Sequence, residues 1–127
     1  MFTGAHLLFY SADPDADRAF LKDVLGFKYV DTGHNWLIFQ LPTAEGAMHP
    51  LEGPNQPAGG GTDAGYMLAT CWLMCGDLAV TRAELAAKGV TTPEPQTERW
   101  GIVTSFPLPS GAKFGLYQPL HATALEL

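Results

Sequence analysis

Positive charge is scarce in this sequence. Lys and Arg together number 7 against 13 Asp and Glu, which gives the 127 residues a formal net charge of −6. Proteins that bind nucleic acid rely on clustered Lys and Arg to neutralise the phosphates. Anionic membrane surfaces attract the same side chains. We therefore expect neither nucleic acid nor a membrane as a partner of this chain.

Cysteine and long apolar runs are scarce as well. The two cysteines, Cys71 and Cys75, lie on one predicted strand, where their side chains cannot meet in a disulfide, and two thiolates alone are too few to hold a metal. No apolar run is long enough to span a bilayer, and the N-terminus lacks the basic and then apolar pattern of a secretory signal. These features predict a cytoplasmic protein with reduced, buried cysteines.

A repeat divides the sequence into two halves. The segment RAFLKDVLG at 18–26 recurs as RAELAAKG at 82–89. In both halves an aspartate suited to cap a helix precedes the segment, and a glycine suited to the left-handed C-terminal position ends it. Each half is therefore predicted to contain one helix.

Each half also contains four predicted strands, one before the helix and three after it, separated by turn residues. In the first half they are GAHLLFYS at 4–11, KYVDTG at 28–33, WLIFQLP at 36–42 and EGAMHPLE at 45–52. In the second half they are YMLATCWLMC at 66–75, VTTPEPQ at 90–96, GIVTSFPL at 101–108 and AKFGLYQP at 112–119. We expect a single domain composed of module 1 at 4–52, a flexible linker rich in Gly and Pro at 53–65, module 2 at 66–120 and a tail at 121–127.

Local motifs stand at characteristic points of this plan. They are His6 in the first strand, the helix end Asp23-Val24-Leu25-Gly26-Phe27, the helix entry Gly76-Asp77-Leu78, the pair Trp100-Gly101, and the turn Pro109-Ser110-Gly111 that leads into Leu116-Tyr117-Gln118-Pro119. With these motifs in this order, the chain resembles the vicinal oxygen chelate superfamily of glyoxalase I, bleomycin and fosfomycin resistance proteins and extradiol dioxygenases. The resemblance implies an α+β fold, in which two βαβββ modules form an open, curved mixed sheet around a concave cup. It also implies a homodimer.

The metalloenzymes of this superfamily hold a divalent metal with side chains from the first and last strand of each module. The corresponding positions here are His6, His49, Thr70 and Gly115. The superfamily usually has histidine or glutamate at all four, so the resemblance leaves His6 and His49 as an incomplete metal-ligand set. A catalytic metal needs about three protein ligands, and the nearby Glu45 is predicted to lie in a turn. The cofactor is therefore either none or one divalent metal ion.

Strand alternation predicts the lining of the cup, because every second residue of a strand points to the same face. The expected ligand-binding residues are Tyr10, Thr70, Trp72, Gly115 and Tyr117. The alternative is that the aromatic rings simply fill the cup as part of a core.

Three functions are compatible with such a cup. We favour a protein that binds a small apolar or aromatic molecule, because a glycine at 115 in place of a carboxylate adds space and removes charge. One alternative is a metal-dependent lyase or extradiol-type dioxygenase that uses His6, His49 and an unrecognised third ligand. Another is a metal-free enzyme in which His6 or His49 acts as a catalytic general base.

Overall fold

The structure is a computed structural model that describes residues 1–51, 61–62 and 64–125. The elements of the first half are helix α1 (Pro14–Ala19), which continues as a π-helical turn (Phe20–Val24), and strands β1 (Tyr29–Asp31) and β2 (Leu37–Phe39). The elements of the second half are β3 (Trp72–Met74), α2 (Leu78–Ala87), β4 (Gln96–Glu98), β5 (Gly101–Pro107) and β6 (Lys113–Pro119). Residue 52, most of the predicted linker and the last two residues of the tail lie outside the described residues.

Both helices begin and end where the sequence predicts. Asp13 and Asp77 each accept a hydrogen bond from the backbone N–H three residues later, at 3.2 Å. Gly26 and Gly89 follow the helical segments with φ of +71° and +80°, the left-handed conformation that ends many helices. In the described part of the chain, no helix combines the length and apolar character needed to cross a membrane.

The second half forms one four-stranded sheet with the order β3-β6-β5-β4. β3 and β6 are parallel, and the other two strand pairs are antiparallel. Helix α2 connects β3 to β4 and contributes Leu78 and Leu85 to the same buried core as Phe114 and Leu116 of β6. The α+β fold with an open sheet is confirmed, and this half has the predicted βαβββ order.

The helix of the first half packs against this core. Leu21 belongs to the core cluster, and the rings of Phe20 and Phe106 have centroids 6.3 Å apart. Asp17 is buried and accepts hydrogen bonds from the Ser11 hydroxyl at 2.7 Å and from the backbone N–H of Ser110 at 3.0 Å. This carboxylate therefore anchors α1 to the turn between β5 and β6.

The outer strands predicted for the first half are wrong in this structure. The described residues 4–11 and 45–51 form no strand, and β1 and β2 pair only with each other. The apolar pattern is present, but Leu8 and Tyr10 stay 58% and 78% exposed. An alternating sequence becomes a strand only where a neighbour accepts its backbone hydrogen bonds, and these segments have no such neighbour among the described residues.

Asp17→Asn is expected to weaken α1 docking in a pH-dependent way. Burial acts to raise the pKa of Asp17, but hydrogen bonds from Ser11 and Ser110 outweigh it, so the pKa lies below its ordinary value of 3.8. A carboxyl whose pKa is lowered in the folded state stabilises the protein fully at pH values above its ordinary pKa of 3.8. This stabilisation is lost as the pH falls through the pKa of the folded state. Urea unfolding at pH 7 should show lower stability for the variant than for the wild type, and the gap should narrow in acid.

The matched control is Asp23→Asn, which removes an exposed carboxylate from the same helical segment. It should leave the free energy of unfolding nearly unchanged at pH 7. The anchoring role of Asp17 would be contradicted if Asp23→Asn lowered the free energy of unfolding as much as Asp17→Asn does. It would also be contradicted if the difference in stability between Asp17→Asn and the wild type did not change with pH.

Candidate functional site

Gly115 is covered by an aromatic ring from the neighbouring strand. In the parallel pair of β3 and β6, Gly115 is in register with Trp72. A Cβ at position 115 would overlap Cδ2 and Cε3 of the indole and lie 2.8 Å from Cζ3. A glycine inside a strand commonly marks such a close approach. The space that a side chain at position 115 would need is therefore filled by the Trp72 indole.

Trp72 belongs to a group of three rings, here called the aromatic cluster, formed by Trp72, Trp100 and Tyr117. Trp72 makes T-shaped contacts with both partners, with centroid distances of 6.3 Å and interplanar angles of 87° to Trp100 and 81° to Tyr117. Trp100 and Tyr117 are 5.9 Å apart at 72°. Edge-to-face geometry stabilises aromatic pairs. Nε1 of Trp72 donates to Oγ1 of Thr70 at 3.0 Å, which fixes the orientation of the indole.

Strand geometry brings these rings to the side of the sheet opposite α2. Along β6, Leu116 is part of the core, so its neighbours Gly115 and Tyr117 point to the other face. Trp100 lies in the turn before β5, and its carbonyl oxygen accepts the N–H of Leu120 at 2.9 Å. The alternation predicted for β6 therefore holds.

The aromatic cluster is open on one side. Trp72 and Trp100 are 43% and 45% exposed, whereas Tyr117 is 9% exposed. Two indoles thus present aromatic surface to solvent around a buried tyrosine. A separate groove of about 480 Å³ lies between α2 and residues 89–92, and it contains none of the predicted site residues.

Polar groups distant in sequence close another side of Tyr117. The Tyr117 hydroxyl donates to Oε1 of Glu45 at 3.3 Å, and Oε2 accepts the N–H of Ala124 at 2.7 Å. The imidazole of His121 stacks on Tyr117 with centroids 6.1 Å apart, and its Nε2 is 3.9 Å from Oε1 of Glu45. Burial, together with the Glu45 carboxylate, raises the pKa of Tyr117, so the phenol remains a proton donor at neutral pH.

The residues at the four predicted metal-ligand positions do not fit a divalent metal. His6 and His49 are exposed, and Nδ1 of His49 is 2.8 Å from the carbonyl oxygen of its neighbour Pro50. The Thr70 hydroxyl is engaged by the Trp72 indole, which also covers Gly115. Within the described ranges, no group of three or more His, Cys, Asp or Glu is placed to hold a metal ion, whereas a catalytic metal needs about three protein ligands.

The structure brings part of the predicted site together. Thr70, Trp72, Gly115 and Tyr117 form one contiguous surface through the contacts above. Tyr10 is 78% exposed and, like His6 and His49, it lies outside the strands of the sheet.

Three neighbours of Tyr117 were missed as site residues. Trp100 carried a signal, because the Trp100-Gly101 pair opens the strand next to β6. His121 was predicted to be a solvated tail residue and Glu45 to lie in a turn. Neither carries a local signal, because both meet Tyr117 only through long-range folding.

Gly115→Ala is expected to lower the free energy of unfolding by about 1–3 kcal/mol, the usual cost of overpacking. The added methyl group overlaps the Trp72 indole, so the cost should fall sharply when Trp72→Ala is already present. A double-mutant cycle by urea unfolding measures this coupling. An equal cost in both backgrounds would contradict the proposed contact.

Comparisons with known proteins agree with this architecture. The sequence profile of the Glyoxalase/Bleomycin resistance protein/Dioxygenase superfamily matches residues 4–116. The antibiotic binding protein TnmS3 from Streptomyces sp. CB03234 has a TM-score of 0.58 and 20% identity, covering 94% of this chain and 99% of that one. A lactoylglutathione lyase from Agrobacterium tumefaciens has a TM-score of 0.55 and 14% identity, covering 91% of this chain and 93% of that one. A glyoxalase/bleomycin resistance protein/dioxygenase from Nocardioides has a TM-score of 0.60 and 16% identity, covering 97% of this chain and 87% of that one.

At these identities the solved structures establish a shared fold and nothing finer. No significant match was found among curated proteins. The superfamily profile nevertheless spans most of the sequence, including both helices and all six strands up to the middle of β6. The chain therefore belongs to the Glyoxalase/Bleomycin resistance protein/Dioxygenase superfamily.

Proposed function

We propose that the protein binds a small apolar or aromatic molecule on the aromatic cluster. The observation that carries this proposal is the pair of half-exposed indoles, Trp72 and Trp100, held in T-shaped contact with the buried Tyr117. Rings that are fixed before binding lose little conformational freedom when a ligand arrives. Their faces supply a large apolar area for a flat molecule.

The chemistry of the cluster favours binding over catalysis. Its hydroxyl groups are occupied, since Tyr117 donates to Glu45 and Thr70 accepts from Trp72. The pKa of Tyr117 is raised, which is the opposite of what an activated nucleophile or base requires. The metal-dependent alternative lacks a fitting ligand set, as the indole over Gly115 illustrates.

The relatives are consistent with this proposal at the level of class. TnmS3 is described as an antibiotic binding protein and covers nearly the whole chain, whereas a lactoylglutathione lyase has the same fold. The fold alone therefore does not decide between binding and catalysis. Binding is supported by the aromatic lining and by the glycine, in place of a carboxylate, at position 115.

Binding is tested by calorimetric titration with uncharged fused-ring aromatics such as 1-naphthol. Trp100→Ala is expected to weaken binding about tenfold, because it removes one of the exposed ring faces. Trp36→Ala is the matched control, since Trp36 is 47% exposed and packs under the Arg18 guanidinium in the first half. Equal losses in the two variants, or loss of binding after chelator treatment, would contradict the proposal.

We also propose that the protein is a cytoplasmic homodimer whose second copy covers the N-terminal segment. Residues 1–10 are exposed throughout, and they include Phe2 and Leu8 at 88% and 58% exposure. A contiguous apolar segment of this kind is typical of an interaction surface. Sedimentation velocity is expected to give twice the chain mass of 13.7 kDa, and Leu8→Asp should shift it toward the monomer. A monomeric wild type would exclude the dimer.

A further inference from the structure

We propose that the ligand carries a positive charge beside its aromatic part, and that Glu45 and the aromatic cluster together form a cation site. The inference rests on the proposed function and names its ligand class, which is an aromatic molecule with a tertiary or quaternary ammonium group. It departs from the sequence-based expectation of a nearly uncharged cup.

The geometry of the aromatic cluster suits a cation. The three ring planes are close to mutually perpendicular, and the centroids lie between 5.9 and 6.3 Å apart. The three rings are in mutual contact, and we treat them as the three aromatic walls of the proposed site. Aromatic faces attract cations within about 6 Å of the ring centroid, and tryptophan is the strongest of them. Trp72 and Trp100 are also the two most exposed walls.

Glu45 supplies the formal negative charge. Its side chain is 18% exposed and is held by the Tyr117 hydroxyl and the Ala124 N–H. These two hydrogen-bond donors are neutral, and the third neighbour of the carboxylate is the His121 imidazole at 3.9 Å. A fixed carboxylate at the hydroxyl end of Tyr117, one of the three rings, is complementary to an ammonium group.

Two cationic side chains lie on the elements that carry the cluster, since Arg99 directly precedes Trp100 and Lys113 begins β6. Lys113 lies on the same face of β6 as Gly115 and Tyr117, but its Cα is four positions before that of Tyr117, which is about 13 Å along a strand. That separation exceeds the screening length of about 8 Å at physiological salt. The net charge of −6 adds a general attraction for cations.

His121 marks the position that the ligand's cationic group would take. Its imidazole stacks on Tyr117 and lies 3.9 Å from Glu45, so it contacts one ring wall and the carboxylate at once. A ligand ammonium group would replace it there. His121→Ala is therefore expected to leave the preference for a cation intact or to increase it.

The test compares phenyltrimethylammonium with tert-butylbenzene, which has nearly the same shape and no charge. The indole N–H signals of Trp72 and Trp100 in NMR titrations report the binding of each probe directly. The wild type is expected to bind the cation at least about fivefold more tightly than its uncharged isostere. Glu45→Gln should remove most of this difference while retaining the affinity for tert-butylbenzene.

The matched control is Glu84→Gln, which makes the same change of net charge on the exposed side of α2 and should preserve the preference. If Glu45→Gln does not fold, Trp100→Leu replaces it, because it keeps apolar volume and removes one aromatic wall. Equal affinity of the wild type for both probes, or equal effects of Glu45→Gln and Glu84→Gln, would overturn the cation site while 1-naphthol binding still supports the proposed function. If neither probe nor 1-naphthol binds, both proposals fail.

Discussion

The contact between the Trp72 indole and the bare backbone of Gly115 determines the character of the sheet face that carries the aromatic cluster. Because β3 and β6 are parallel neighbours in register at these residues, their side chains would compete for one volume. The ring occupies it, and Thr70, Trp100 and Tyr117 are arranged around the ring. Any side chain at position 115 would overlap this indole as it is placed. The bare backbone of Gly115 and the position of the Trp72 ring therefore depend on each other.

The opposite face of β6 explains why such a surface can be held rigidly. Phe114 and Leu116 are buried with residues from α2 and from the first helical segment. A strand packed on one side by a core leaves its other side as a fixed platform, and fixed groups recognise a ligand at low entropic cost. The aromatic cluster therefore gains its order from a core that is packed on the other face of the sheet.

Superfamily membership leaves the chemistry of the cup to the individual protein. The same fold occurs in an antibiotic binding protein and in a lactoylglutathione lyase, so the difference lies in which side chains face the ligand. In this chain the groups that we propose to face the ligand are the aromatic cluster and the Glu45 carboxylate. They supply π surface and a single negative charge.

The sequence by itself determined the features that depend on local physical chemistry. Asp13 and Asp77 cap the helices, glycines end them, and alternation assigned the two faces of β6, because each property involves residues close in the chain. It also singled out Gly115 as a strand glycine that marks a close approach of another group, and the Trp72 ring makes that approach. Only the tertiary structure decided what fills that position, since Trp72 lies 43 residues away from it.

The same distinction explains the errors. Segment 4–11 has the pattern of a strand, but pairing depends on a neighbour that the pattern does not specify. Glu45 and His121 have no local feature in common, and they meet at Tyr117 because the sheet and tail bring distant segments together. Local sequence therefore fixed the helices and the faces of the best-formed strands, whereas long-range packing alone assembled the carboxylate and the rings into one site.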